Sequence, residues 1–233
     1  MQALYAYFQH EKAVPAHFEK EMYKSLDKIY DLYLSILALI GDFHHVALMI
    51  VDENRNKRLP GKEDLNPNMR FVENSLVKGI AESKELTGLC ERKKISWQND
   101  FDLVRKLFND IRAGETYKNY MASQITGPEN DRNFVVELIT AHLSENEVLL
   151  SLFEDKNIHW ADDTFVAFNS VIRTVEEFKG QFNLQPLLKD EKDDLDFMGE
   201  LFNKTILYKG QFDEMIDKHA SNWELERIAN MDM

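Results

Sequence analysis

The side chains that could do chemistry in this chain are its seven histidines, its single cysteine and 41 carboxylates. None of the carboxylates stands out as a pair in an apolar pocket. His44 and His45 are adjacent, so on a helix they point to different faces and cannot chelate one ion together. His142 and Glu145 stand three apart, a spacing that on a helix makes a surface contact. A di-iron bundle would need Glu-x-x-His on two helices plus two further Glu, and the sequence contains no Glu-x-x-His. Cys90 has no second thiol for a disulfide or a zinc site and reads as a small core residue. Neither a G-x-S-x-G elbow nor a phosphate-cradling G-x-x-x-x-G-K-[ST] loop is present. The expectation is a protein that is not an enzyme and that holds no metal and no cofactor.

The elements behind these residues read as helices. Of 233 residues only 9 are Gly and 5 Pro, too few for the tight turns of a β-sandwich or barrel. Leu26, Ile29, Leu32, Tyr33, Ile36, Leu37 and Ile40 recur at the i+3 and i+4 steps of a buried helix face. A bend is expected at Gly41, and residues 54–69, with two Pro and a Gly, read as a connecting loop. Further breaks are expected at Thr126–Asp131 and Gly180–Asp194. No alternating run rich in β-branched residues stands out as a strand. The longest apolar stretch, Leu32 to Ile40, is too short to cross a bilayer, so a soluble cytoplasmic protein with no membrane partner is expected.

A 63-residue period organises the chain. Phe71, Phe134 and Phe197 are spaced by it, and so are Trp97, Trp160 and Trp223, the three tryptophans. Leu76/Ile139/Phe202, Ile80/Leu143/Ile206, Leu86/Leu149/Phe212 and Leu89/Leu152/Met215 fall in the same register. Cys90 shares a column with Phe153 and Ile216. The pattern predicts an all-α fold, a helical bundle of stacked units none of which buries its apolar face alone. It suggests three parts: N-terminal helices and a loop over 1–69, helical repeats over 71–189, and a distinct C-terminal part over 190–233.

The charge is uneven. Against 28 basic residues stand 41 acidic ones, a net of −13, which argues against strong nucleic-acid binding by the chain alone. Residues 190–233 carry twelve acidic and five basic side chains, a surface suited to a basic protein partner. The termini, MQALYAYFQH and NWELERIANMDM, begin and stop inside helical patterns without caps, so the chain reads as a fragment.

Those two ends carry a resemblance. MQALYAYFQ resembles the Q-A-L-Y stretch in the first helix of the NusB family of transcription antitermination factors. IDKHASNWELERIANMDM resembles the stretch that precedes the family's C-terminal helices. The tracts between, SLDKIYDLYLSIL, ERKKISW, YKNYMAS and IHWADD, resemble a long form of the family with inserted helices. The resemblance implies a non-enzymatic, all-helical, cytoplasmic RNA-binding protein of the transcription elongation complex. Such a protein binds boxA RNA together with the ribosomal protein NusE during ribosomal RNA transcription. By resemblance Tyr5 falls on the RNA face, where a ring can stack on an unpaired base. Asp232 falls at the NusE contact, where a carboxylate can meet a basic protein. The family's arginine-rich segment is expected before Met1 and further helices after Met233, so residues 190–233 are read as the truncated start of the NusB-like part. The rival readings are a non-enzymatic helical repeat that only binds proteins, and the NusB-like domain of some ribosomal RNA methyltransferases.

Overall fold

The computed structural model describes residues 2–157, 160, 161 and 163–219; Trp223 and Asp232 lie outside them. The described residues are all-α, with no strand among them. Twelve α-helices follow one another: α1 (Gln2–Gln9), α2 (Pro15–Arg55), α3 (Lys62–Leu65), α4 (Ser75–Ala81), α5 (Lys84–Lys93), α6 (Phe101–Ala113), α7 (Glu115–Ala122), α8 (Pro128–Leu138), α9 (Glu147–Lys156), α10 (Thr164–Glu176), α11 (Glu191–Leu207) and α12 (Lys209–His219). A 3-10 turn, Gln98–Asp100, precedes α6, and a π-helical turn, Ile139–Leu143, continues α8. Two compact units result: one is Lys28–Gln185, the other Met1–Asp27 with Pro186–Met233.

Within Lys28–Gln185, α2 is the spine. Its apolar stripe is buried from Leu32 to Ala47. It runs as one continuous helix past Gly41. The glycine serves a close approach, since a Cβ at that position would lie 3.4 Å from Ala81 Cα of α4. Helix α2 is long and apolar enough to cross a membrane by length and composition, but 67% of that apolar window is buried against its neighbours, as in a core helix. The apolar run continues well beyond Leu32–Ile40 because helical residues before and after it keep the same face.

Two pairs of helices have bounds 63 residues apart. Helices α5 and α9 span 84–93 and 147–156, and α6 and α10 span 101–113 and 164–176. Ser83 and Asn146, in register, cap α5 and α9 by accepting from Leu86 N at 3.2 Å and Leu149 N at 3.0 Å. Trp97 donates its indole N–H to the Ser35 carbonyl at 2.9 Å, and Trp160 donates to the Lys28 carbonyl at 2.8 Å. Those two acceptors lie seven residues apart on α2, about two helical turns. Phe153 fills the space between the indoles, 6.0 Å from one centroid and 5.9 Å from the other. The Phe column is less regular: Phe71 sits in the turn before α4, whereas Phe134 and Phe197 are helical.

In the second unit, Gly199 lets α11 approach the first turns of α2. A Cβ there would stand 2.5 Å from Tyr23 Oη and 2.8 Å from Glu19 Oε1. Tyr23 donates its hydroxyl proton to the Leu195 carbonyl at 3.1 Å, and Asn203 Nδ2 donates to Glu19 Oε2 at 3.1 Å. Several sequence breaks shift slightly. A Pro at the first helical position starts α2 at Pro15 and α8 at Pro128, where its missing N–H costs nothing. Within the expected loop 54–69 the single-turn α3 forms, because Asp64 accepts from Gly61 N at 2.9 Å.

Candidate nucleic-acid interface

Helix α1 divides its side chains by period. Leu4 and Tyr7, one turn apart, are half-buried, and Tyr7 makes edge contacts with Phe18 at 5.6 Å and Phe202 at 6.4 Å. Tyr5 and Phe8, also one turn apart, are 42% and 40% exposed, and the Phe8 ring meets Tyr7 edge-on at 5.1 Å. Lys209 of α12 places its ammonium 5.6 Å from the Phe8 ring centroid, a cation–π distance, while pairing with the Asp213 carboxylate on its own helix. Tyr5 therefore stands on the surface one helical turn from a second exposed ring, Phe8, which is the ring that Lys209 meets. Sequence reasoning missed Phe8 and Lys209. The i, i+3 spacing of Tyr5 and Phe8 was a usable signal; the approach of Lys209 from the far end of the chain was not. Asp232 lies outside the described residues.

The other polar concentration is in Lys28–Gln185, bordering an open groove of about 440 Å³ lined by Arg70, Tyr120, Gln124 and Asp131 among others. Tyr120 donates to Asp131 Oδ1 at 2.8 Å, and Asn74 Nδ2 donates to the Tyr120 hydroxyl oxygen at 3.0 Å. Ser75 donates both its backbone N–H and its hydroxyl to Asp131 Oδ2, at 2.8 and 2.6 Å. Arg70 lies 4.6 Å from the Tyr120 ring centroid and donates to the Ser123 and Ile125 carbonyls. Burial first, then the Asp131 carboxylate, pushes the Tyr120 hydroxyl well above the usual phenol range. The arrangement joins α4, α7 and α8; a phenol so hard to ionise, whose hydroxyl is already engaged, is a brace rather than an acid or base.

The candidate reactive side chains are likewise committed to packing. Burial raises the Cys90 thiol to about 11, which keeps it a thiol at neutral pH. His44 Nε2 bonds the Val72 carbonyl at 3.0 Å, and burial lowers its pKa. His142 packs at Gly114, where a Cβ would fall 2.9 Å from the ring. Among the described residues no group of three or more His, Cys, Asp or Glu side chains is placed to hold a metal ion.

No family profile matches the chain, and no solved structure matches it. Over 49 residues, 21% of this chain and 37% of the relative, it is 43% identical to the transcription antitermination protein NusB of Bacillus subtilis (strain 168). Over 45 residues, 19% of this chain and 28% of the relative, it is 42% identical to the transcription antitermination protein NusB of Salinibacter ruber (strain DSM 13855 / M31). The chain thus spans about a third of the length of the relatives it matches, and it is similar to NusB proteins over about a fifth of its own length.

Proposed function

We propose that this chain is a NusB-like, non-enzymatic RNA-binding factor of transcription antitermination. The observation that carries the reading is the exposed Tyr5–Phe8 pair on α1 with the Lys209 cation over Phe8. Two exposed rings suit an unpaired RNA strand, because rings stack on bases. The local identity to two NusB proteins supports the same reading. On it, boxA RNA is the ligand, NusE the protein partner, the elongation complex the assembly and the cytoplasm the place. Asp232 supplies part of the NusE contact.

Fluorescence anisotropy with boxA RNA, with and without NusE, tests this. Tyr5→Ala should weaken binding between about 5- and 150-fold, the value of one base–aromatic stack, while Tyr5→Phe should retain it. Equal affinities for Tyr5→Ala and wild type would remove Tyr5 from the interface. A second reading, a module that binds only proteins, draws on the exposed Phe197, Leu201, Phe212 and Met215 of α11 and α12. Binding of NusE without any RNA affinity would favour it.

A further inference from the structure

The loop from the end of α2 into α3 carries a charge unlike the rest of the molecule. Residues 54–62 (NRNKRLPGK) hold Arg55, Lys57, Arg58 and Lys62 with no acid, and no other nine-residue stretch of this acidic sequence does so. All four cations are exposed. One of them is engaged within the loop, where Lys57 donates to Asp64 Oδ1 at 2.9 Å while Asp64 Oδ2 accepts from Gly61 N at 2.9 Å. That single carboxylate closes the loop on itself. Backbone bonds from Asn56 N to the Asp52 carbonyl at 3.0 Å and from Leu65 N to the Gly61 carbonyl at 3.1 Å hold its two flanks. Arg55, Arg58 and Lys62 have no carboxylate partner among the described residues. The result is a tied loop presenting three uncommitted cations.

We infer that this loop is a phosphate-contacting element for single-stranded RNA, a site separate from α1. The inference rests on the RNA-binding reading above and extends it to a second, sequence-blind contact. Cations without neighbouring rings read backbone rather than bases, so the loop adds affinity and not specificity. An acidic peptide would fit less well. Leu59, 88% exposed at the tip, is the loop's one exposed apolar side chain between two cations, and it forms no groove for a partner's side chains. In a chain of net charge −13 a local excess of this kind also decides where a polyanion first lands.

The test uses the whole chain and a fluorescein-labelled 20-nucleotide oligouridine, titrated from 50 to 200 mM salt. Arg55→Gln/Arg58→Gln/Lys62→Gln should lower the slope of log K against log salt by about 2, three contacts at about 0.7 each. Wild type should then lose about 15-fold more affinity than the triple variant across that range. Arg55→Lys/Arg58→Lys/Lys62→Arg should restore the slope, and circular dichroism should be unchanged throughout, because no ion pair is broken. An unchanged slope in the triple variant overturns the proposal. So does a triple variant that loses poly-glutamate binding but keeps its oligouridine slope, which would make the partner an acidic protein. Parallel titration with boxA RNA separates the two ideas. If boxA is bound no better than oligouridine, the antitermination reading fails while the loop stands. If boxA is preferred and the triple variant keeps its slope, the loop fails alone.

Discussion

Phe134 and Phe197 stand 63 residues apart in matching stretches of sequence, yet Phe134 is 4% exposed and Phe197 66%. Leu149 and Phe212 repeat the contrast, at 0% and 42%. The cause lies in what precedes each helix. Ahead of α8 comes α7, whose Tyr120 stacks on Phe134 at 3.9 Å, and Phe71 meets the same ring edge-on at 6.0 Å. Ahead of α11, residues 177–190 form no helix, so no counterpart of Tyr120 is supplied. An apolar period is enough to make a helix; burial also requires a neighbour.

The largest effect expected from this contrast is on stability. Leu149→Ala should cost about 3 kcal/mol in urea denaturation, because it opens a cavity in a closed core. Phe212→Ala, on the open face, should cost under about 1 kcal/mol. Equal losses would mean that the face of α11 and α12 is covered in solution. Charged groups sharpen the comparison at smaller size. Asp31 is buried in Lys28–Gln185 between Lys28 at 2.8 Å and Lys93 at 2.7 Å. Asp31→Asn should cost about 2 kcal/mol, less than a fully buried pair because both lysines are partly solvated. Glu200→Gln, which breaks the exposed Glu200–Lys204 pair of α11, should leave the denaturation midpoint where it is. A midpoint shift comparable to that of Asp31→Asn would end the distinction.

The smallest effect is a pH dependence. Burial lowers the His44 pKa from 6.5 in the folded chain, so the folded state resists a proton that the unfolded state accepts. Stability should therefore fall as pH drops below about 6.5, the unfolded value. His44→Gln keeps a donor for the Val72 carbonyl and should flatten the change between pH 7 and pH 5. Parallel slopes for variant and wild type would show that His44 does not carry it.

How much of this was legible in the sequence follows from the range of each interaction. The α2 stripe was visible because a 3.6 period is local, whereas the caps Ser83 and Asn146 went unread. The start of α2 at Pro15 was hidden because residues before Leu26 pack in a different unit from the stripe, with weaker periodicity. At the candidate interface Tyr5 was readable by resemblance, whereas its exposure depends on Tyr7 being the ring that α1 turns inward. Lys209 reaches Phe8 across 201 positions, and no spacing rule connects them. The network around Tyr120 was likewise invisible, since Asn74, Tyr120 and Asp131 come from three helices' worth of sequence.

The two tryptophan bonds to Ser35 and Lys28 make α2 an indexing rod. Each added residue turns a helix by about 100°, so a single-residue insertion between positions 28 and 35 would swing one docking carbonyl away from its indole. Seven inserted residues come back to nearly the same side, about 20° short of two full turns. Both indoles keep their carbonyls only where a change of length in that stretch of α2 comes in about whole pairs of turns.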